Sequence, residues 1–211
     1  MINLLPGLRK YSETVFPQQK KLFDELSAGQ KPHTLLITCS DSRIDPTLVT
    51  QTKPGELFIV RNAGNIVPPY GASTNGEAAA IELAIGLGVT NIVICGHSQC
   101  NAMAALANRL DLSQLPSVKR WLTHAHSTQK RIERFKDPVD VIQVVEENVL
   151  VQIDNLKTHP AVSAALRNGT VHVFGWIYHF EDGRVSVYDP QTDKYIPSTE
   201  VREDSESRFS L

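Results

Sequence analysis

Two stretches determine the architecture of this chain: HTLLITCSDSR at residues 33–43 and NIVICGHSQC at residues 91–100. Each begins as a short apolar run rich in β-branched residues, which is typical of a strand buried on both faces of a sheet. Each then ends in cysteine, histidine or charged side chains. Ligands of open α/β sheets bind beyond the carboxyl ends of the strands, so both stretches carry their polar residues to the edge where a site would form.

The segments around these strands predict an α/β domain. A third apolar run covers residues 57–60, and residues 170–180 and 184–188 flank a hairpin turn. Helices are expected over 74–86 or 74–88, from about 98, over 137–157 and over 160–167. Thr74, with Glu77, and Asp137, with Pro138, are the expected N-terminal caps of two of them. We therefore expect a mainly parallel central sheet with an antiparallel edge strand and flanking helices.

Residues 1–29 are expected to form an N-terminal helical arm, and residues 30–211 the α/β domain. The arm carries spaced apolar residues, with a break expected before Pro17; they are Leu4, Leu8, Val15, Leu22 and Leu26. A single compact domain need not cover such a stripe. We therefore expect the arm to pack on a partner subunit.

Composition excludes several classes of partner. The 211 residues are 41% hydrophobic and 21% charged, with a net charge of −2. A net charge this close to neutral does not favour binding to nucleic acid or to an anionic membrane. The basic stretch 119–134 is interpreted as the solvated face of a surface helix. No apolar run reaches membrane-spanning length. With three cysteines and no secretory signal at the start, a cytoplasmic location is expected.

Cys39, His97 and Cys100 are the candidate metal ligands. If the strands that precede them are neighbours, two thiolates and one imidazole meet in one crevice, a donor set that suits one Zn²⁺ per chain and leaves a tetrahedral position open. Taken singly, each motif could be a buried thiol or a histidine satisfied by backbone; both at strand ends favour a metal site. Cys95 lies inside its strand and is expected in the core, as a ligand only if Cys100 is misplaced.

Asp41 and Arg43 give the first motif a second role. Alone they could be part of a polar turn. Beside a metal, an arginine can hold the carboxylate ionised in a charge-assisted pair, so that Asp41 accepts a hydrogen bond from zinc-bound hydroxide. Without Arg43, Asp41 could fill the fourth zinc position and close the site. Two thiolates also weaken the metal's acidifying effect, so activity is expected to rise on the alkaline side of neutral.

The motifs Cys-x-Asp-x-Arg at 39–43 and His-x-x-Cys at 97–100 resemble the signature of the β-class carbonic anhydrases. The similarity continues through residues 54–65, 67–70 and 175–178, and is greatest to the plant-type subgroup and its bacterial relatives. It implies a zinc lyase, carbonate dehydratase, that hydrates carbon dioxide reversibly to bicarbonate and a proton. It also implies that Asp41 and Arg43 form the catalytic dyad beside the three zinc ligands.

The resemblance implies three substrate-binding residues as well. Gln30 stands where the subgroup places an amide that hydrogen-bonds substrate, although alone it would be interpreted as a surface residue ending a helix. Phe58 and Ala63 stand where the family has apolar walls of the carbon dioxide pocket. In the family, the glutamine and the phenylalanine reach in from a neighbouring subunit, so a homodimer or higher homo-oligomer is expected.

Three positions depart from the family's pattern. Asn101 replaces the usual glycine after the second cysteine ligand, and Leu83 stands where an aromatic residue is common. Neither is a ligand, so they bear on turnover and not on zinc binding. Leu36 replaces a tryptophan that helps to form an inhibitory bicarbonate site in a regulated bacterial subgroup, so no such regulation is expected.

Three other functions are compatible with parts of this pattern. A related zinc hydrolase acting on another small linear molecule, such as carbon disulfide, would use the same pocket chemistry. A scaffold or sensor with a closed structural zinc would need neither Asp41 nor Arg43. A dinucleotide-binding domain is disfavoured because no Gly-x-Gly-x-x-Gly follows any strand.

Overall fold

The computed structural model describes residues 3–72, 76–136, 138–202 and 208–211. The chain divides into two compact units, Met1–Lys31 and Pro32–Leu211. Within the described residues, no helix combines the length and the apolar character that crossing a membrane requires. The expected caps Thr74 and Asp137 lie outside the described residues.

The first unit is helical, as predicted. Its helices are α1 (Leu5–Lys10), α2 (Phe16–Gln18) and α3 (Lys20–Ser27), with a π-helical turn at Tyr11–Val15 between the first two. The break expected before Pro17 was wrong, because the proline lies in the first turn of α2, where its missing N–H costs no helical hydrogen bond. The backbone leaves helical geometry at Gln19 instead, with φ −108° and ψ 10°. None of the residues of these helices is buried.

The second unit is built on one six-stranded sheet of order β2-β1-β3-β4-β5-β6. Its strands are β1 (Thr34–Cys39), β2 (Leu57–Asn62), β3 (Asn91–His97), β4 (His172–Tyr178), β5 (Val185–Asp189) and β6 (Lys194–Pro197). The first four are parallel, and the last two are added in antiparallel fashion. This confirms the predicted fold class; β6 is an additional edge strand that the sequence did not indicate.

The helices of this unit flank the sheet. They are α4 (Pro46–Thr50), α5 (Gly76–Gly86), α6 (Asn101–Ala107), α7 (Pro116–Leu122), α8 (His126–Ile132), α9 (Val141–Lys157) and α10 (Pro160–Arg167). The basic stretch 119–134 is therefore two short helices and not one. The start expected for α9 at 137 was wrong by a few residues. Asp140 caps this helix by accepting a bond from Ile142 N–H at 3.1 Å, so the helix begins only after it.

The strand register brings the two polar stretches together. β1 pairs directly with β3, with Thr38 opposite Cys95, and on its other side Cys39 lies opposite Asn62. All six residues of β1 are buried, as are six of the seven in β3. The neighbouring strands that the sequence required are thus present, and their carboxyl ends meet at one edge of the sheet.

Candidate metal centre

Cys39, His97 and Cys100 form a cluster whose ligand atoms all lie within 4.8 Å of one another. Cys39 ends β1, His97 ends β3, and Cys100 is the N-cap residue of α6. All three are buried, His97 completely. In the described part of the chain this is the group of cysteine, histidine and acidic residues that could hold a metal ion.

A reversal at Gln99 turns His97 and Cys100 toward the same point. Gln99 has a left-handed backbone, with φ 54°, and Cys100 returns to extended geometry. The helix expected from about Ser98 therefore begins only at Asn101, because a left-handed residue interrupts helical geometry. Ser98 fixes the turn, since its N–H donates to Tyr178 O at 2.9 Å and its Oγ accepts from Phe180 N–H at 2.9 Å.

The imidazole of His97 is oriented as a metal ligand requires. Its Nδ1 lies 2.8 Å from Ser98 O, a carbonyl that can only accept, so Nδ1 carries the proton and Nε2 presents its lone pair. Nε2 is buried and has no hydrogen-bond partner among the residues that the structure describes. A buried polar atom without a partner costs free energy, and a metal ion held jointly with the two sulfurs would satisfy it.

The two thiols lie close enough to favour one thiolate. The interaction with the Cys100 thiol outweighs the effect of burial and, with His97 and with the Gly64 N–H at 3.3 Å from Sγ, lowers the pKa of Cys39 to about 4. The Cys39 thiolate and burial together raise the pKa of Cys100. A thiolate, a second thiol and a free imidazole nitrogen form a donor set that suits zinc.

The Asp41 carboxylate stays outside this cluster because Arg43 holds it. Arg43 Nε donates to Oδ1 at 2.9 Å and Nη2 to Oδ2 at 2.8 Å, and Arg43 backbone N–H also donates to Oδ1 at 3.0 Å. These bonds, the side-chain ones first, hold the pKa of Asp41 well below its usual range. The cluster therefore offers three protein ligands, and a tetrahedral ion bound by them would have one position for another ligand.

Gly64 is held against Cys39 by a loop that buried amides on α9 support. Asn148 Nδ2 donates to Gly64 O at 2.9 Å, and Val67 N–H donates to Gln152 Oε1 at 2.9 Å. The approach is close: a Cβ on Gly64, whose φ is 80°, would lie 2.9 Å from Met103 Cε. The left-handed backbone conformation therefore favours glycine, and any Cβ would also require the Met103 methyl group to move.

Three contacts around Arg43 were not anticipated from the sequence. Its Nη1 donates to Gln99 Oε1 at 3.1 Å and its Nη2 to Gln99 O at 3.2 Å, while the Phe180 ring lies under the guanidinium, 4.4 Å from Cζ to centroid. Gln99 Nε2 donates in turn to Glu181 Oε1 at 2.7 Å. Gln99 lies inside the second motif, so a role at the site could have been suspected from the sequence. Phe180 and Glu181 lie at a predicted hairpin turn, and nothing in the sequence connected them with the site.

A surface cavity of about 410 Å³ opens beside Asp41 and Arg43. It is lined by Asp41, Ser42, Arg43, Gln99 and Asn101. The cavity therefore joins both motifs and contains Asn101, one of the three positions at which a departure from the family's pattern is expected. A small molecule entering here would meet the Asp41–Arg43 pair.

The three residues expected to bind substrate do not line the cavity beside Asp41 and Arg43. Phe58 pairs with Leu35, four residues before the strand end where Cys39 meets Asn62, which separates it from that end by about 13 Å. It packs against the core of its own subunit. Ala63 is exposed, and its carbonyl accepts from Trp121 Nε1 at 2.8 Å. Gln30 is an exposed residue of the first unit. The substrate roles of all three stay predictions.

Comparison with known proteins identifies relatives over nearly the whole chain. The family model described as carbonic anhydrase matches residues 34–185. The carbonic anhydrase of Pseudomonas aeruginosa is 41% identical over 204 residues, which are 95% of this chain and 93% of that protein. The carbonic anhydrase of Synechocystis is 45% identical over 195 residues, covering 90% of this chain and 71% of its relative.

Solved structures agree with this result. The β-carbonic anhydrase CcaA superposes with a TM-score of 0.87 at 43% identity, covering 92% of this chain and 90% of that one. A structure from Sordaria macrospora, described as one of two tetrameric β-carbonic anhydrases, gives 0.76 at 28% identity, with coverage of 87% and 93%. With its own sheet order and Cys-His-Cys cluster, this chain belongs to the β-carbonic anhydrase family.

Proposed function

We propose that this carbonic anhydrase uses one Zn²⁺ per chain, held by Cys39, His97 and Cys100, to convert carbon dioxide and water reversibly into bicarbonate and a proton. The observation that carries the proposal is the buried, unpartnered Nε2 of His97, next to two sulfurs and beside a carboxylate that is kept out of the cluster. A structural zinc would need a fourth protein ligand, and Asp41, the adjacent carboxylate, is already bound to Arg43.

Zinc in this position would act as a Lewis acid and lower the pKa of a coordinated water toward neutrality. The residues of the chain supply the remaining functions. Asp41, kept ionised by Arg43, accepts a hydrogen bond from the attacking oxygen and directs its lone pair at carbon dioxide. His97 is fixed in one tautomer by Ser98 O, so the ligand geometry is set before substrate arrives.

The substrate pocket is proposed to be completed by a second copy of the chain. Phe58 lies about 13 Å before the end of its strand, so it does not reach the cluster of its own subunit directly. We assign Gln30 and Phe58 to the neighbouring subunit's site, and Ala63 to the wall of the pocket. The relative described as tetrameric supports an assembly of at least two subunits.

A reducing, cytoplasmic location is part of the same proposal. Its support is the chemistry of the cysteines: the three are free and buried, and two of them must stay reduced to bind a metal. Oxidation of Cys39 and Cys100 to a disulfide would remove both sulfur ligands from the site.

Stopped-flow carbon dioxide hydration, measured across pH on samples of known zinc content, tests the proposed function. We expect a rate proportional to bound zinc and rising on the alkaline side of neutral, because two thiolates reduce the metal's effect on water. Removal of zinc by a chelator should abolish the rate, and adding zinc back should restore it. A chain with stoichiometric zinc and no hydration above the uncatalysed rate would contradict the proposal.

A further inference from the structure

Arg43 is partly exposed, with 44% of its side chain accessible, yet its guanidinium is held on three sides. Asp41 accepts from Nε and Nη2, Gln99 accepts from Nη1 and Nη2, and the Phe180 ring lies against its face. An exposed arginine bound only by a carboxylate keeps considerable freedom, because surface ion pairs are weak. The bonds to Gln99 therefore contribute much of what fixes this guanidinium.

Gln99 can make these bonds in one orientation only. A guanidinium has donors and no acceptor, and a carboxylate has acceptors and no donor. With Arg43 on one side and Glu181 on the other, the amide must turn Oε1 to Arg43 and the NH₂ group to Glu181, as observed at 3.1 and 2.7 Å. The left-handed backbone of Gln99 directs its carbonyl at the same guanidinium, at 3.2 Å.

We propose that Gln99 and Glu181 are positioning residues that hold Arg43 on Asp41 and so keep the Asp41 carboxylate out of the Cys39–His97–Cys100 cluster. This inference rests on the proposed function. Asp41 follows Cys39 by two residues, so a carboxylate released from Arg43 could supply a fourth ligand to a metal ion bound by the cluster. The turn between β4 and β5, through Glu181, thereby acts on a site built from the ends of β1 and β3.

Four variants test the arrangement. Gln99→Met keeps the length of the side chain and removes both side-chain hydrogen bonds, while Glu181→Leu removes the acceptor for the amide and the contact of Glu181 with the Ser98 side chain. Glu181→Gln restores an acceptor without the charge. Asp182→Asn is the matched control, since it removes a negative charge from the same turn and Asp182 bonds to Arg184 there.

Cobalt(II) replaces zinc in each protein, and its visible spectrum serves as a readout independent of activity, because cobalt bands respond to the fourth ligand. Gln99→Met and Glu181→Leu should shift the spectrum toward that of Arg43→Ala, in which Asp41 is unrestrained. Their zinc forms should lose about 10-fold or more in kcat/KM, the size expected for hydrogen bonds to a charged group. Zinc content and thermal midpoint should stay at wild-type values.

Glu181→Gln should recover most of this loss, and Asp182→Asn should show neither change. Wild-type cobalt spectra for both Gln99→Met and Glu181→Leu would overturn the inference, and so would a wild-type spectrum for Arg43→Ala. Failure of the proposed function would look different. The zinc form of the wild-type chain would then not hydrate carbon dioxide, while the cobalt comparison would still decide whether Gln99 and Glu181 hold Asp41 out.

Discussion

Cys39 and Cys95 lie on neighbouring strands, with their thiols on opposite faces of the sheet. Cys95 is in register with Thr38, so it shares a face with Thr38, and Cys39 points the other way. Cys39 belongs with Cys100 to the large core cluster on one face, whereas Cys95 packs with Leu36 and Val93 on the other. Burial also raises the pKa of the Cys95 thiol to about 12, so this cysteine is an inert core residue.

Alanine substitutions should therefore separate the three cysteines into two classes. Cys39→Ala, Cys100→Ala and His97→Ala should each lose stoichiometric zinc and hydration activity together, because each removes one of three protein ligands. Cys95→Ala should keep both and lose about 1 kcal/mol of stability, through a small cavity. Metal analysis and urea unfolding on the same samples measure this, and full zinc occupancy in Cys100→Ala would contradict the ligand assignment.

Asp41→Asn should retain zinc and lose about 100-fold or more in kcat, the range found when one stabilising polar group is removed from a reacting centre. The amide has almost the same shape, but it lacks the negative charge that Arg43 binds and that the attacking oxygen requires as acceptor. A pH–rate profile at matched zinc loading provides the measurement. Asp154→Asn is a suitable control, since Asp154 pairs with Arg131 on another surface. A wild-type profile for Asp41→Asn would mean that the carboxylate is not catalytic.

The centre of the site could be predicted because its geometry follows from strand order. Cys39 and His97 end parallel strands that are adjacent, and Cys100 lies three residues after His97, so short-range spacing and one topological rule suffice. Glu181 could not be predicted in the same way. It meets Gln99 across 82 residues of sequence, and a turn signal says where the chain reverses but not what its side chains will reach.

The predicted start positions of two helices, α6 and α9, were wrong because of local backbone geometry. The pattern of residues 97–107 is compatible with a helix from Ser98, and nothing in the letters shows that Gln99 adopts a positive φ. At the other helix, the sequence pointed only to Asp137-Pro138 as the start, whereas the observed bond from Ile142 N–H makes Asp140 the cap. The roles proposed for Gln30 and Phe58 are of a different kind, since they would depend on a second copy of the chain.

The C-terminal segment should make stability depend on pH below about 4. Asp189 is buried and accepts bonds from Arg208 and Thr192; burial alone would raise its pKa, but these bonds outweigh burial and lower it. A depressed folded pKa means that the stabilisation is present above the unfolded value, about 3.9, and is lost as pH falls through the folded value. Asp189→Asn should thus be less stable than wild type at pH 7.

The difference between Asp189→Asn and wild type should shrink as pH falls toward 2. Urea unfolding of the two proteins, each with zinc removed, gives this difference at each pH without a contribution from the metal. Arg208→Ala should also lower stability at pH 7, because it removes the partner that stabilises the ionised form of Asp189. A constant difference between pH 7 and pH 2 would show that the loss comes from packing and not from the ionised pair.

Deleting residues 1–27 should lower the oligomeric state and the activity together. The arm exposes large apolar side chains, among them Leu4 at 72%, Leu8 at 60% and Leu5 at 58%. Exposed apolar area of this kind is expected to be covered in an assembly. Light scattering and hydration assays on the truncated chain measure both quantities, with Leu8→Ala as a milder variant. A fully active monomer would refute a site shared between subunits.

Asn101→Gly should leave zinc content unchanged and raise the hydration rate. Asn101 is the first residue of α6, directly after Cys100, and it lines the cavity with Asp41, Arg43 and Gln99. Its exposed side chain occupies space at the entrance to the dyad, and glycine would clear that space. A twofold to threefold increase corresponds to about 0.5 kcal/mol in the barrier.

The same substitution should cost some stability, up to about 1 kcal/mol, because glycine loses more conformational freedom in a helix than asparagine does. Asn108→Gly is the matched control: Asn108 lies at the other end of α6, where it should affect stability without changing the rate. Stopped-flow measurements on the three proteins at equal zinc loading separate the two effects. A slower Asn101→Gly enzyme would mean that the asparagine contributes a hydrogen bond to the pocket, and that its amide is part of the site and not an obstruction.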